Sequence, residues 1–333
     1  MRRSLLLSVT VMLAALAGGV WLYWHWEHQP LPIGSQAVDV EIMPGESLRH
    51  VAQQFADKGI LDHAWDLVLY ARLHEAAGGL RAGEYSVEPG TTVAGLLTLL
   101  RSGRVVMHSL TLVEGWNLKE VMAAVEAEPN LKHTLTDTHP QALAKVLGID
   151  AASPEGMLMP DTYQFPRGTS DVAFLRRAHD AAQQELNQQW QSRAPGLPYA
   201  DSYDALIMAS IVEKETAQAF ERGKIAGVFV RRLQKGMKLQ TDPTVIYGMG
   251  DAYNGDITLK DLRTDTVYNT YTRYGLPPTP ICMPGRPAIE AALHPEAGNA
   301  LYFVARGDGT HQFSATLKQQ NEAVAKYQLH HDK

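Results

Sequence analysis

The sequence has one cysteine, Cys282, in 333 residues. A lone cysteine excludes an internal disulfide and a cysteine-built zinc site, and it leaves the redox compartment open. An HExxH motif is missing despite thirteen histidines, and His330–His331 fall in a polar tail. No metal and no cofactor is expected. Excess positive charge is missing as well: the formal net charge is −6, which provides no electrostatic footprint for nucleic acid. Only 20% of residues are charged whereas 45% are apolar, a balance that supports real cores, and the length suits two or three domains. The one basic cluster, Arg231, Arg232, Lys235 and Lys238 around Gly236, reads as a solvated helix end favouring cations, with an anion site for substrate as the alternative.

Charge is absent altogether from "SLLLSVTVMLAALAGGVWLYW", residues 4–24. That is the length of one bilayer crossing, about 20 residues. Trp21, Tyr23, Trp24 and Trp26 crowd one end as an interfacial aromatic belt does. Arg2 and Arg3 favour a cytoplasmic N-terminus, with everything after the anchor outside the cytoplasm, which in a bacterial chain means the periplasm or outer membrane face. Ala15-Leu16-Ala17 offers a signal-peptidase pattern, but the apolar and aromatic residues continue past it, which favours an uncleaved anchor.

Residues 25–38 have the Pro, Gly and polar content of a linker. An internal echo follows. "IMPGESLRHVAQQF" (42–55) and "VEPGTTVAGLLTLL" (87–100) align without gaps, and "VEGWNLKEVMAAV" (113–125) is a weaker third copy. Each reads as strand, tight turn and capped helix, with Ser47, Thr92 and Asn117 as N-caps. Small strand–helix units of this kind resemble LysM-like modules, which bind glycan. The expected organisation is a cytoplasmic stub at 1–3, the anchor at 4–24, the linker, a LysM-like module at 39–106, a connecting α/β segment at 107–154 and a mixed α+β catalytic domain at 155–333. Helices are expected at 171–192, 204–219, 220–235 and about 315–329. The proline-rich stretch 275–289 is expected to be irregular. "LYFVAR" and "HQFSA" framing "GDGT" signal a hairpin at 301–315.

"DALIMASIVEKET" (204–216) carries two glutamates, Glu213 and Glu215. At about 100° per residue they point to nearly opposite sides of a helix. Glu215 lies seven after Met208, four after Ile211 and three after Val212, on the apolar stripe. Glu213 lies opposite and reads as a solvated charge. A carboxyl among hydrocarbon is disfavoured in its ionised form, which raises its pKa as a general acid near neutral pH requires. The same pattern also fits a buried glutamate paired with an arginine.

Taken in order, "EGMLMPDTYQF" (155–165), "ASIVEKET" (209–216), "LQTDPTVIYGMG" (239–250), "YNTYTRYGLPPTPICMPG" (268–285), "HPE" (294–296) and "YFVARGDGTHQFS" (302–314) resemble the YceG-like family of membrane-anchored endolytic murein (lytic) transglycosylases. The resemblance spans nearly the whole chain. It implies a catalytic glutamate at the second Glu of E-K-E, here Glu215. It also implies cleavage of the MurNAc-β-1,4-GlcNAc bond within peptidoglycan strands by the muramic C6 hydroxyl, leaving 1,6-anhydro ends, in the service of terminating or trimming new strands.

Glycosidases commonly use two carboxylates; here the substrate would supply its own nucleophile, so one acid can serve both steps. Gln240 and Asp242 are candidates to hydrogen-bond sugar or orient Glu215, with a turn-forming Asp before Pro243 as the alternative. Asn269, Thr270 and Tyr271 offer donors, acceptors and a stacking face, against the alternative of a packed loop. Asp161 and Tyr163 are expected to shape the cleft wall, and His311 and Phe313 to flank the cleft or enter the core. Ser210 and Thr216 flank the acid, and either hydroxyl could bond it; Glu221 is expected to partner an arginine such as Arg232. The sequence departs from the family pattern at Arg231, where an Asn is common, at Thr279, where Gly is usual, and at Met283 before Pro284-Gly285. Partners implied are glycan strands, the membrane and peptidoglycan synthases. A hydrolytic muramidase and a non-catalytic wall-binding scaffold remain the rival readings.

Overall fold

A computed structural model describes residues 2–76 and 78–329, the side chains from residue 8 onward. His330 and His331 lie outside the described residues. The chain is mixed α+β and divides into two compact units, residues 1–108 with 165–168, and residues 109–164 with 169–333.

The first unit begins with α1 (Arg2–His28). The stretch Ser8–His28 is long and apolar enough to cross a membrane. The helix runs past Trp24 into the segment read as linker, because Trp26 and Glu27 find partners: Trp26 Nε1 donates to Asp66 Oδ1 at 2.9 Å, and Tyr70 Oη donates to Glu27 Oε1 at 2.9 Å. Leu31 then enters the core, and its N–H donates to the Thr91 carbonyl at 2.8 Å.

Next come β1 (Val38–Ile42), α2 (Leu48–Asp57), α3 (Ala64–Leu73), β2 (Gly83–Val87) and α4 (Val93–Ser102). β1 and β2 pair antiparallel with Val40 opposite Tyr85. The caps sit at the expected positions: Ser47 Oγ accepts from His50 N, and Thr92 Oγ1 from Gly95 N. Gly45 and Gly90, at φ 87° and 84°, make the tight turns before them in a region open to glycine at little cost. The aligned apolar sets, Leu48, Val51, Ala52 and Phe55 on α2 and Val93, Leu96, Leu97 and Leu100 on α4, fill one core. α3 was not visible in the repeat. Segment 165–168 joins this unit through Arg167, whose Nε donates to Glu84 Oε2 at 2.9 Å and holds that carboxyl below its usual range.

β3 (Met107–Thr111) opens the third copy, with Gly115 at φ 80° and Asn117 capping α5 (Leu118–Ala127) in a reciprocal box with Glu120. After it come β4 (Leu131–Lys132), α6 (Pro140–Leu147), β5 (Thr162–Pro166), which pairs with β3, and β6 (Thr169–Ser170), which pairs with β4. The division between units falls within β3 and β5.

The second unit is built on α7 (Asp171–Gln191), α8 (Ser202–Glu215), α9 (Arg222–Gln234), α10 (Asp242–Met249), α11 (Leu259–Arg263) and α12 (Arg286–Leu293). It closes with the antiparallel hairpin β7 (Tyr302–Ala305) and β8 (His311–Ser314) and with α13 (Leu317–Tyr327). α8 is buried without interruption from Ala205 to Val212, in a core shared with Ile225 and Phe229 of α9 and Ile289 and Leu293 of α12. Two of the boundaries that differ from the sequence reading have a clear local cause. α8 stops at Glu215 because Thr216 is extended, at φ −145° and ψ 133°. α12 starts inside the proline-rich stretch because Pro287 falls in the first turn, where its missing N–H costs no helical bond.

Candidate active site

The last residue of α8 opens into a cavity of about 390 Å³ in the second unit. Its lining is Glu215, Arg232, Gln240, Asp242, Tyr271, the hairpin residues Tyr302, Phe303, Val304, Ala305 and His311, and Gln320, Val324 and Gln328. The volume is within the range of ligand-sized clefts, about 300–1,000 Å³. The end of α8, Arg232 of α9, the start of α10 with its preceding turn, Tyr271, the hairpin and α13 therefore meet.

Burial pushes the Glu215 carboxyl up to about 7, reinforced by the negative charge of Asp242; the hydroxyl of Thr241 and the His311 ring pull the other way. Thr241 Oγ1 donates to Glu215 Oε2 at 2.6 Å. Oε1 makes no hydrogen bond to the described residues. One oxygen is thus held and the other faces the cavity. A carboxyl titrating near neutrality can donate a proton and later accept one.

Thr241 was not foreseen as a partner, although Gln240 and Asp242 on either side of it were. It is the N-cap residue of α10 and is 2% exposed. Its own place is fixed by a threonine cluster: Thr241 N donates to Thr270 Oγ1 at 3.1 Å, Thr244 Oγ1 donates to the Thr241 carbonyl at 2.8 Å, and the Thr244 and Thr270 hydroxyls lie 2.9 Å apart. Gln240 sits in the left-handed region at φ 53°, an uncommon and costly conformation for a residue with a side chain. Its N–H donates to the Thr270 carbonyl at 3.2 Å, and its Oε1 accepts from Arg232 Nη2 at 2.6 Å.

The structure separates the other sequence candidates. Tyr271 lines the cavity and donates from Oη to Asp242 Oδ1 at 2.5 Å. Thr270 is buried in the threonine cluster and supports Thr241. Asn269 is also buried. Its Nδ2 donates to three carbonyls at the end of α11 (Asp261, Leu262, Thr264), and its Oδ1 accepts from Tyr271 N, so its polar atoms already have structural partners. His311 lines the cavity, but its partner is Glu221, which accepts from His311 N at 3.0 Å and pairs with Nδ1 at 2.7 Å. That corrects the expected Glu221–Arg232 pair: Arg232 instead holds Gln240 and the Leu239 carbonyl.

Ser210 and Thr216 do not reach the acid. Ser210 Oγ donates to the Ile207 carbonyl and accepts from Ile281 N, and Thr216 Oγ1 accepts from Gln218 N. Tyr163 is core, with Oη donating to the Met159 carbonyl at 2.7 Å and its ring edge-on to Phe174. Asp161 accepts from the N–H of neighbouring Thr162. Neither lines the cavity.

Glu213 is a clear correction. Its side chain is only 7% exposed, lies 3.5 Å from Arg222 and accepts from Gly285 N at 3.0 Å. Burial raises its pKa as well. The helical-wheel contrast failed because α8 is covered on both sides, one of them by the 281–285 segment. A further unforeseen carboxyl, Glu155, is 3% exposed and is raised to about 7 by burial. It accepts from Leu118 N at 3.1 Å and from Tyr247 Oη at 2.9 Å, which ties α5 to α10.

Against known proteins, the model of the YceG-like family matches residues 40–326. The chain is 30% identical to the endolytic murein transglycosylase of Bacillus subtilis (strain 168), over 94% of this chain and 91% of that one. It is 28% identical to the endolytic murein transglycosylase of Streptococcus pneumoniae serotype 2 (strain D39 / NCTC 7466), over 91% of this chain; it spans 61% of that longer protein. The crystal structure of a yceG-like protein from Listeria monocytogenes superposes with a TM-score of 0.53 at 31% identity, covering 87% of this chain and 99% of that one.

Proposed function

The chain belongs to the YceG-like family, and on that premise we propose that Glu215 is the acid of an endolytic murein transglycosylase. The enzyme is a lyase that cuts the MurNAc-β-1,4-GlcNAc bond inside glycan strands. The observation that carries the role of Glu215 is its half-held carboxyl, with Oε2 fixed by Thr241, Oε1 open to the cavity, and a pKa of about 7.

In the first step the protonated Glu215 gives its proton to O4 of the departing GlcNAc as the C1–O4 bond breaks. Positive charge develops at C1 of MurNAc, and the Asp242 carboxylate in the same cavity is placed to stabilise it. In the second step the muramic C6 hydroxyl attacks C1, and Glu215, now ionised, takes its proton. The C1–O6 bond closes the 1,6-anhydro ring and the acid is regenerated. Tyr271, Gln240 and His311 supply a ring face and polar groups for sugar contacts, while Thr270, Asn269, Arg232 and Glu221 act through the residues they hold.

The β1–α2–α3–β2 unit supports the LysM-like reading of the first unit, and α1 supports a single-pass anchor in the bacterial inner membrane. Arg2 and Arg3 favour a cytoplasmic N-terminus and a periplasmic catalytic part. Anchorage beside nascent strands suits termination or trimming of new glycan next to the synthases. A second carboxylate in the cavity, Asp242, also fits a hydrolytic muramidase, in which it would activate water. Digestion of purified glycan strands by the full chain, followed by mass spectrometry of the ends, separates the two: anhydro ends are expected, and reducing ends would replace the lyase with the hydrolase.

A further inference from the structure

α3 (AWDLVLYARL) is apolar on almost every side, a pattern expected of a helix enclosed all round. It is not enclosed. Leu67 and Ala71 face the core, and Asp66 and Tyr70 meet the end of α1. The remaining stripe, Trp65, Leu69 and Leu73, is 55%, 40% and 57% exposed. Spaced four apart, these residues form one continuous ridge, centred nearly opposite the core face. Contiguous exposed apolar surface marks a contact with another protein or a membrane.

Continuity with α1 decides between them. The Trp65 ring stacks on Trp26 at 6.4 Å between centroids and 11° between planes. Trp26 lies two residues beyond Trp24, about 3 Å along the helix, and so within the aromatic belt where the anchor leaves the hydrocarbon. Trp65 therefore stands at the same depth as that belt, and the ridge extends from it. Arg72 flanks the ridge on α3. An apolar ridge with a cation at its edge is the chemistry of a helix lying in a lipid interface.

We propose that α3 is a second membrane contact. Its Trp65–Leu69–Leu73 ridge lies in the headgroup region of the leaflet that α1 exits, and it holds the first unit down on the bilayer. The occupant is the lipid surface itself. The inference rests on reading α1 as a membrane span.

The test uses the full chain in vesicles of phosphatidylethanolamine and phosphatidylglycerol. Cys282 is buried and its thiol is pushed well up, so a fluorescent maleimide reads an introduced cysteine. Leu69→Cys, Leu73→Cys, Met12→Cys inside α1 and Gln53→Cys at an exposed position on α2 are labelled in turn, and quenching by lipids with shallow or deep nitroxides is measured. The expected result is shallow quenching at 69 and 73, deep quenching at 12 and none at 53. Quenching at 12 with labels at 69 and 73 as unquenched as at 53 would overturn the second contact and leave the anchor standing. Loss of quenching at 12 as well would remove the membrane reading on which the inference depends.

Discussion

Replacing Thr241 by Val keeps the side-chain shape and deletes only the hydroxyl that donates to Glu215 Oε2 at 2.6 Å. A hydrogen bond to a charged group contributes about 1.5–3 kcal/mol, and one pKa unit corresponds to about 1.4 kcal/mol. The hydroxyl favours the ionised carboxylate, so its loss moves the Glu215 pKa upward from about 7, by about one to two units. On the proposed role, in which cleavage begins from protonated Glu215, kcat/KM of the native enzyme should fall as pH rises through about 7. In Thr241→Val that descending limb should move to higher pH, while the plateau drops because the carboxyl is less firmly aimed. Asp242→Asn should act in the opposite direction. The Asp242 charge raises the Glu215 pKa, so removing it moves the limb to lower pH. The assay is release of glycan fragments by the full chain across pH 5–9, with folding checked by circular dichroism at each pH. An unshifted limb in both variants, or shifts of the same sign, would refute the assignment of Glu215 as the titrating acid.

Other perturbations follow from the same contacts. Glu215→Gln should stabilise the fold at pH 8. A carboxyl raised from 4.5 to about 7 in the native state binds more protons there than when unfolded, so stability falls as pH rises from about 4.5 to 7; the gain is about 1–3 kcal/mol, read as a higher Tm at pH 8 and an equal one at pH 4. Glu213→Gln should leave strand cutting on purified glycan near the wild-type rate, since Glu213 meets Arg222 and Gly285 N outside the cavity; loss of cutting in the folded variant would contradict its structural role. Glu221→Gln should loosen the His311 ring from its 2.7 Å contact and raise KM more than it lowers kcat, because His311 lines the cavity wall without hydrogen-bonding to Glu215.

Local signals in the sequence were readable wherever one segment decides the structure. The three capped units, the apolar span of α1, the 302–314 hairpin and the apolar setting of Glu215 all rest on residues within a few turns of one another. Gln240, Asp242, Tyr271 and His311 were named from separate motifs, and the fold does bring them to one cavity. Reading failed where the partner is distant in sequence. Glu213 looks solvated on an isolated helix, but Gly285 covers it from 72 residues away. Glu221 was paired with Arg232 by proximity along the chain, whereas the hairpin places His311 against it from 90 residues away. Thr241 carried no signal of its own in the sequence; its bond to Glu215 spans 26 residues and follows the left-handed turn at Gln240. The exposed ridge of α3 is equally illegible, since an all-round apolar pattern does not say which side the core leaves bare.

The central claim is that one carboxyl both gives and takes the proton in strand cleavage. The most direct measurement compares wild type and Glu215→Gln, each as the full chain in vesicles, in initial rates of strand cutting on purified glycan. Wild type should release fragments ending in 1,6-anhydro-MurNAc, and Glu215→Gln, folded and at least as stable, should release none above background. Near wild-type cutting by Glu215→Gln would contradict the account.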